Sequence, residues 1–234
     1  MNTLMLKLRA QGRKLGLHHY VYRIRVALGQ MSHYEEDFNR ALQQGVRQGD
    51  VVWDVGANVG VYTAQFCSWV GSTGHVVAFE PNPNPLAEIR RRLPDCTWLT
   101  LMDVALGAKE GTASFVADAS YSPRSHVQFG GGSEFSSASV IPVKVSTGDA
   151  VCESMGRVPN VIKIDVEGFE DDVLLGLKNT LSSPCLRAVF VEVHFQALED
   201  RGRLTAPIEI AKLFKASGFK IKWVDSNHLQ AERA

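Results

Sequence analysis

The sequence predicts an α/β fold in which a mostly parallel, doubly wound sheet carries helices on both faces. Short apolar runs such as "VVWDV" at 51–55 have the β-branched and aromatic composition of buried strands. Most of these runs precede a segment whose apolar residues recur with helical spacing, and this alternation favours parallel strands joined by right-handed crossovers. With 234 residues, 45% of them apolar, the chain can bury one large core.

The first half of the chain supplies three of the predicted strands. The first strand runs into a glycine turn and then a helix with Phe66 on its apolar face, which Gly71 can end. The second strand closes on Glu80, and Asn84 can cap the next helix with Pro85 at its first position. In order, the predicted elements are helix 34–44, strand 51–55, helix 61–70, strand 75–81, helix 84–93 and strand 97–107.

The alternation breaks between residues 108 and 157. This segment predicts two strands, Thr112–Ala117 and Val140–Val145, around a Gly- and Ser-rich stretch that cannot bury much surface. We interpret it as a β-hairpin insert with a mobile loop, a lid or acceptor-binding region, before the fourth core strand. The later predicted elements are strand 161–166, helix 169–177, strand 187–195, helix 205–218 and strand 219–225.

Composition excludes several classes of protein. Lysine plus arginine and aspartate plus glutamate both number 25, so no basic surplus indicates a nucleic-acid partner. The four cysteines are far apart, which predicts reduced thiols in a cytoplasmic protein rather than a zinc or disulfide scaffold. No apolar run reaches the roughly 18 residues of a transmembrane helix, and the start lacks a signal-peptide core. The oligomeric state is not predicted.

Residues 1–48 are predicted to form a helical extension of a domain that spans 49–234. Before Glu35 the chain carries lysines and arginines but no acid. A helix with Leu4, Leu8 and Leu15 on one face could make weak contact with a membrane surface or an acidic substrate. A solvated helix packed on the domain is the commoner outcome of such a pattern.

The turn after the first strand indicates the kind of ligand. Backbone N–H groups at a helix start are unpaired, and glycines let a ligand approach them. Gly56 and Gly60 flank Asn58, so the middle glycine of the dinucleotide motif G-x-G-x-x-G is absent. Asp54 would repel a phosphate and attract an ammonium group. The turn therefore predicts a ligand with an amino group and no phosphate, unless its glycines serve packing alone.

Polar residues gather where the predicted strands end. Because ligands of open α/β sheets bind beyond the carboxyl ends of the strands, we expect these side chains to surround one site. They are Asp54, Glu80, Asp103, Asp165, Glu167, Glu192 and His194.

Several motifs together resemble those of the FkbM family of S-adenosylmethionine-dependent methyltransferases. The resemblance rests on "VVWDVGANVGVYT", "VVAFEPNP", "DVALG", "IKIDVEGFEDDVL" and "VFVEVH", and it covers about residues 35 to 225. It implies a Rossmann-like class I methyltransferase fold. It also implies O-methylation of a small molecule such as a sugar, a polyketide or another secondary metabolite.

The resemblance assigns the cofactor site. Asp54, with Gly56, Asn58 and Gly60, would cradle the methionine part of S-adenosylmethionine, and Asp54 would face its ammonium group directly or through water. Glu80 would accept hydrogen bonds from the ribose hydroxyls. Two further residues would lie near the adenine, namely Asp103 and Val104.

The transfer step places its own demands on residues. An alcohol that attacks the sulfonium methyl must lose its proton, so we expect Asp165 or His194 as the general base and Glu167 to position the acceptor. Lys163 is expected to pair with Asp165 and orient it. A divalent cation held by Asp165, Glu167 and His194 is the alternative, disfavoured because the sequence shows no regularly spaced ligand set.

Other functions stay open at this point. Glu80 could hold the ribose of NAD in an oxidoreductase, although the missing glycine and Asp54 count against this. Nucleic-acid methyltransferases typically carry [N/D]-P-P-[Y/F/W] after the fourth strand, where this chain has "IDVEG". A non-catalytic S-adenosylmethionine-binding module would keep the fold without turnover. Only ten residues follow Val224, so the final strand of the antiparallel hairpin that ends a class I sheet is expected to be short, absent or trimmed.

Overall fold

The computed structural model describes residues 34–117, 126–128 and 139–233. Its helices are α1 (Tyr34–Gly45), α2 (Val61–Val70), α3 (Pro83–Arg92), α4 (Gly148–Met155), α5 (Glu170–Leu175), α6 (Lys178–Ser182), α7 (Phe195–Asp200) and α8 (Ala206–Ala216). Its strands are β1 (Val51–Val55), β2 (His75–Phe79), β3 (Leu99–Met102), β4 (Val104–Leu106), β5 (Gly111–Ala117), β6 (His126–Gln128), β7 (Ser139–Ser146), β8 (Val161–Ile164), β9 (Ala188–Glu192), β10 (Phe219–Trp223) and β11 (His228–Arg233).

The main sheet has seven strands in the order β10-β11-β9-β8-β1-β2-β3. Strand β11 runs antiparallel to both of its neighbours, and the other pairings are parallel. After β1 the chain builds outward through β2 and β3, and later it returns to the other side of β1 with β8. This reversal makes the carboxyl edge beside β1 and β8 the expected ligand crevice. The predicted α/β fold is confirmed.

Apolar side chains cover both faces of this sheet. Trp53, Phe79 and Ile162 belong to one buried cluster, and Phe38 of α1 and Phe190 belong to another. Because the strands are buried on both sides, their sequences are continuous apolar runs rather than alternating ones.

The predicted third strand is wrong in its length. The chain leaves the main sheet at Asp103, and residues 104–106 enter a second sheet with the order β4-β7-β5-β6. The two strands predicted in the insert are confirmed as β5 and β7. The insert also contains α4, which the sequence did not predict, with Thr147 Oγ1 accepting a hydrogen bond from the N–H of Ala150 (3.1 Å). The predicted mobile loop falls largely outside the described residues.

Two further predictions need correction, one about the terminal hairpin and one about a helix cap. The terminal hairpin is complete, because β11 pairs with β10 and also with β9 along its length. Helix α3 begins at Pro83 and is capped by Asn82, whose Oδ1 accepts from the N–H of Asn84 (3.1 Å), so Asn84 is not the cap. No helix in the described ranges is long and apolar enough to cross a membrane.

Part of the predicted N-terminal extension is α1, which packs against the sheet through Phe38 and Leu42. Residues 1–33, including the basic segment considered for membrane contact, lie outside the described residues. The four cysteines are free thiols in the structure.

Candidate active site

The turn between β1 and α2 uses its backbone donors inside the protein. The N–H groups of Gly56 and Ala57 both donate to the carbonyl of Phe79 (3.1 and 3.0 Å), and the N–H of Gly60 donates to the carbonyl of Ala57 (2.9 Å). These groups are therefore not available to a phosphate in the way that a dinucleotide turn requires.

Close packing within the protein also explains why this turn has glycine at two positions. Gly56 (φ +79°) leaves no room for a side chain, since a Cβ would lie 1.8 Å from the carbonyl oxygen of Asp165. At Gly60 (φ +81°) a Cβ would lie 2.8 Å from Cγ1 of Ile89. The first of these contacts places the turn after β1 directly against the residues that follow β8, so the motifs "DVGANVG" and "IDVEG" are adjacent.

Glu80, directly after β2, is held by the same turn. Its carboxylate accepts from the N–H of Asn58 (Oε2, 2.9 Å) and from the N–H of Asn82 (Oε1, 2.8 Å). Asn58 is exposed and has a left-handed backbone (φ +49°), which asparagine tolerates better than most residues. Burial raises the pKa of Glu80 to about 7, against the lowering effect of the two N–H donors. Each oxygen keeps a lone pair for a further donor.

The two residues expected near an adenine lie at the break between β3 and β4. Asp103 is exposed, whereas Val104 is buried with 8% of its surface accessible. The N–H of Glu80 donates to the carbonyl of Met102 (3.1 Å). Asp103 is the next residue in the chain after this partner of Glu80.

Lys163 connects Asp54 to Asp165. Its Nζ lies 3.2 Å from Oδ1 of Asp54 and 3.4 Å from Oδ2 of Asp165, and it is almost fully buried. Asp54 is completely buried and also accepts a hydrogen bond from Thr63 Oγ1 (2.7 Å). Burial alone would lower the pKa of Lys163, but the charges of Asp54 and Asp165 outweigh burial and raise it. The predicted pairing of Lys163 with Asp165 is present, and Asp54 is a second partner.

The turn after β8 holds its acids in a constrained backbone. Glu167 has a left-handed φ of +50°, which is uncommon for a residue other than glycine and is typical of functional sites. Gly168 follows with φ +98°, and a Cβ there would lie 2.5 Å from Cβ of Ala197. Its N–H donates to Oε1 of Glu170 (2.8 Å).

The imidazole of His194 lies among four carboxylates. Its Nδ1 is 2.8 Å from Oε1 of Glu170, and its Nε2 is 3.3 Å from Oε2 of Glu167. The same Nε2 lies 3.7 Å from Oε1 of Glu192 and 3.8 Å from Oδ1 of Asp165. Four of the strand-end residues named from the sequence, Asp165, Glu167, Glu192 and His194, therefore lie together.

These contacts perturb the acid–base properties of the cluster. Burial would lower the pKa of His194, but the hydrogen bond with Glu170 and the surrounding carboxylates raise it to about 10. Burial raises the pKa of Glu167 to about 7, with the charges of Asp165 and Glu192 adding to the rise and His194 opposing it.

Sequence reasoning missed two contributors to this site. The sequence around Glu170 predicts only an acid in the first turn of a helix, yet Glu170 is fully buried against His194. His228 of β11 lies with Nε2 3.4 Å from Oε2 of Glu192 and Nδ1 2.5 Å from Oδ2 of Asp225. The burial of Glu170 left no signal in the sequence, and the His228 contact depends on the hairpin that was expected to be incomplete.

Three comparisons with known proteins each find similar proteins. The family described as "Methyltransferase FkbM domain" matches residues 54–221. The hexuronic acid methyltransferase AglP of Haloferax volcanii is 36% identical over 179 residues, which cover 74% of this chain and 66% of that protein. The chain thus spans just under two thirds of that relative. A crystal structure from Clostridium thermocellum, described as an rRNA methylase, shares the fold with a TM-score of 0.51 at 13% identity, covering 85% of this chain and 94% of that one.

Proposed function

The chain belongs to the FkbM methyltransferase family, and from this premise we propose that it transfers the methyl group of S-adenosylmethionine to a hydroxyl group of a sugar or related small molecule. The relative from Haloferax volcanii is named for methylation of a hexuronic acid, so sugar acids are the first acceptors to test. The NAD-dependent alternative is disfavoured by the occupied N–H groups of Gly56 and Ala57.

For the cofactor, we assign Glu80 to the ribose. Its two oxygens are fixed by backbone N–H groups and keep lone pairs that two adjacent hydroxyls can use. Gly56, Asn58 and Gly60 form the turn proposed to carry the methionine part. Because Asp54 is fully buried, we assign it an indirect contact with the ammonium group through water. The proposed adenine contacts are Asp103 and Val104.

One observation carries the proposal for the transfer step. Lys163 contacts Asp54 on the proposed cofactor side and Asp165 on the proposed acceptor side. One side chain therefore separates the proposed methyl donor from the cluster of carboxylates around His194. An acceptor hydroxyl at the cluster can lose its proton to Asp165, while Glu167 and His194 orient the acceptor. Its oxygen then forms a bond to the methyl carbon as the S–C bond breaks, which leaves S-adenosylhomocysteine.

We propose a small molecule rather than a nucleic acid as the acceptor. The cluster presents several carboxylates, which repel the phosphates that dominate nucleic-acid binding. The likeness to an rRNA methylase concerns the fold alone.

The function is tested with methyl-labelled S-adenosylmethionine and three acceptor pools: oligosaccharides that contain hexuronic acids, neutral oligosaccharides and RNA. We expect label in an oligosaccharide as a methyl ether, which survives mild alkali, whereas a methyl ester would release the label. Labelled RNA, or an alkali-labile product alone, would contradict O-methylation of a small-molecule hydroxyl. Cofactor binding without any labelled product would favour the non-catalytic module.

The pKa of Glu80 gives a second test of the cofactor site. Because an ionised carboxylate accepts hydrogen bonds more strongly than a carboxylic acid, we expect S-adenosylmethionine affinity to rise about tenfold as the pH increases through about 7. Glu80→Gln should bind more weakly and lose this part of the pH dependence. Calorimetry between pH 5.5 and about 8.5 measures both proteins, and the cofactor's own amino group titrates in each of them. Identical profiles would remove Glu80 from the ribose site.

A further inference from the structure

We propose that the cluster of Asp165, Glu167 and His194 binds one divalent transition-metal ion. The inference rests on the proposed function, because the ion would hold the acceptor hydroxyl next to the methyl donor. The sequence alone disfavours a metal, because it shows no regularly spaced ligands. The fold favours one, because it brings Asp165, Glu167 and His194 together.

The spacing of the donor atoms fits a single ion. One donor atom from each of the three residues lies within 4.8 Å of the other two. Oε2 of Glu167 and Nε2 of His194 are 3.3 Å apart. Ligands that bind at about 2.0–2.2 Å around one ion are about 3 Å from each other, so these two atoms can bind with little movement.

The orientation of His194 is the second observation. Glu170 Oε1 accepts from Nδ1 at 2.8 Å, which directs Nε2 toward the three other carboxylates. This carboxylate–histidine arrangement is the one that fixes ligating histidines in metal sites. Glu170 is fully buried, and its other oxygen, Oε2, has no hydrogen-bond partner among the described residues. A histidine that served packing alone would not need three further acids at its second nitrogen.

The charge balance of the cluster also favours a cation. Asp165, Glu167 and Glu192 surround Nε2, and the lysine that touches Asp165 is shared with the buried Asp54. Glu192 is likewise shared with His228. Two positive charges at the centre would offset the mutual repulsion of these carboxylates.

The side chains of Asp165 and Glu167 are 25% and 31% accessible, so an acceptor can reach the ion. A mixed set of imidazole and carboxylate donors suits Mn²⁺ or Zn²⁺ better than Mg²⁺, which prefers oxygen alone. Glu167 and His194 supply the two closest donor atoms, and a hydroxyl bound to the ion would face Asp165. A bound ion would lower the pKa of that hydroxyl, the Asp165 oxygen that does not bind the ion would take the proton, and the hydroxyl oxygen would take the methyl group from sulfur as the S–C bond breaks.

The test uses Mn²⁺ as the probe. The purified full chain is treated with a chelator, desalted and titrated with Mn²⁺, while electron paramagnetic resonance follows the signal of free aqueous Mn²⁺. We expect one equivalent to bind, and Glu167→Gln and His194→Gln to weaken binding by at least about tenfold. Glu153→Gln, an exposed acid on α4, is the matched control and should bind as wild type does. Circular dichroism checks that each variant is folded.

The inference fails if the wild-type chain binds no Mn²⁺, or if both ligand variants bind it as well as the control does. S-adenosylmethionine binding is measured by calorimetry on the same samples. Cofactor binding without Mn²⁺ binding overturns the metal site and leaves the proposed methyl transfer standing. Mn²⁺ binding that depends on Glu167 and His194, without cofactor binding, supports the metal site and contradicts the proposed function.

Discussion

We expect Asp165→Asn to lower methyl-transfer turnover by about a thousandfold while S-adenosylmethionine affinity stays within about threefold of wild type. The substitution removes the group proposed to receive the hydroxyl proton and keeps the size of the side chain. Asp165 is accessible at the carboxyl edge, 3.4 Å from Lys163 and 3.8 Å from Nε2 of His194. Since Glu80 and the turn at Gly56 are unchanged, the cofactor site should persist.

Single-turnover measurements with a labelled cofactor give the rate of transfer, and calorimetry gives the affinity. Asp95→Asn is the matched control, because Asp95 is exposed in the loop before β3. A variant that transfers methyl groups at the wild-type rate would remove Asp165 from the chemistry. A variant that loses cofactor affinity as strongly as turnover would show that Asp165 belongs to the cofactor site instead.

The sequence predicts the centre of this fold well because burial leaves a direct pattern there. Strands β1, β2, β8 and β9 are covered on both faces, so their residues form apolar runs that end on acids. Parallel strands share one carboxyl edge, and this alone brings Asp165, Glu167 and His194 together. The site could therefore be predicted as a group, although its internal contacts could not.

The features that the sequence did not predict depend on pairing between strands that are distant in the chain. No glycine or proline interrupts 99–106, so nothing local indicates that β3 ends and β4 joins another sheet through β7, about forty residues later in the chain. The "HLQAER" of β11 has few strand-forming residues, and its conformation follows from insertion between β10 and β9. The same pairing brings His228 to Glu192.

The charge of Asp54 has a partner that the sequence analysis did not assign to it. From the sequence, the acid before a glycine turn is free to attract an ammonium group. In the structure that charge is already paired with Lys163 inside the core, at 3.2 Å. The sequence does contain a signal of this pairing, namely the lysine within the apolar run "VIKI". A lysine in a strand that is buried on both faces requires a buried acid as its partner.

This buried pair predicts the largest effect on stability. Lys163→Met should lower the free energy of unfolding by about 3–5 kcal/mol, since it leaves the carboxylate of Asp54 buried without its cation. Asp54 has no accessible surface, and Thr63 Oγ1 would be its remaining hydrogen-bond donor. A loss of this size is a large part of the about 5–15 kcal/mol that stabilises a typical domain. Urea unfolding followed by circular dichroism measures it.

The double variant Asp54→Asn with Lys163→Met separates the ion pair from simple packing. An amide at position 54 can still accept from Thr63, and a methionine fills the volume of the lysine stem without a charge. The double variant should therefore recover most of the loss, to within about 1–2 kcal/mol of wild type, because replacing both members of a buried pair costs far less than removing one. If the two substitutions instead destabilise additively, then Asp54 and Lys163 are not energetically coupled, and the link between the proposed cofactor turn and Asp165 has no energetic basis.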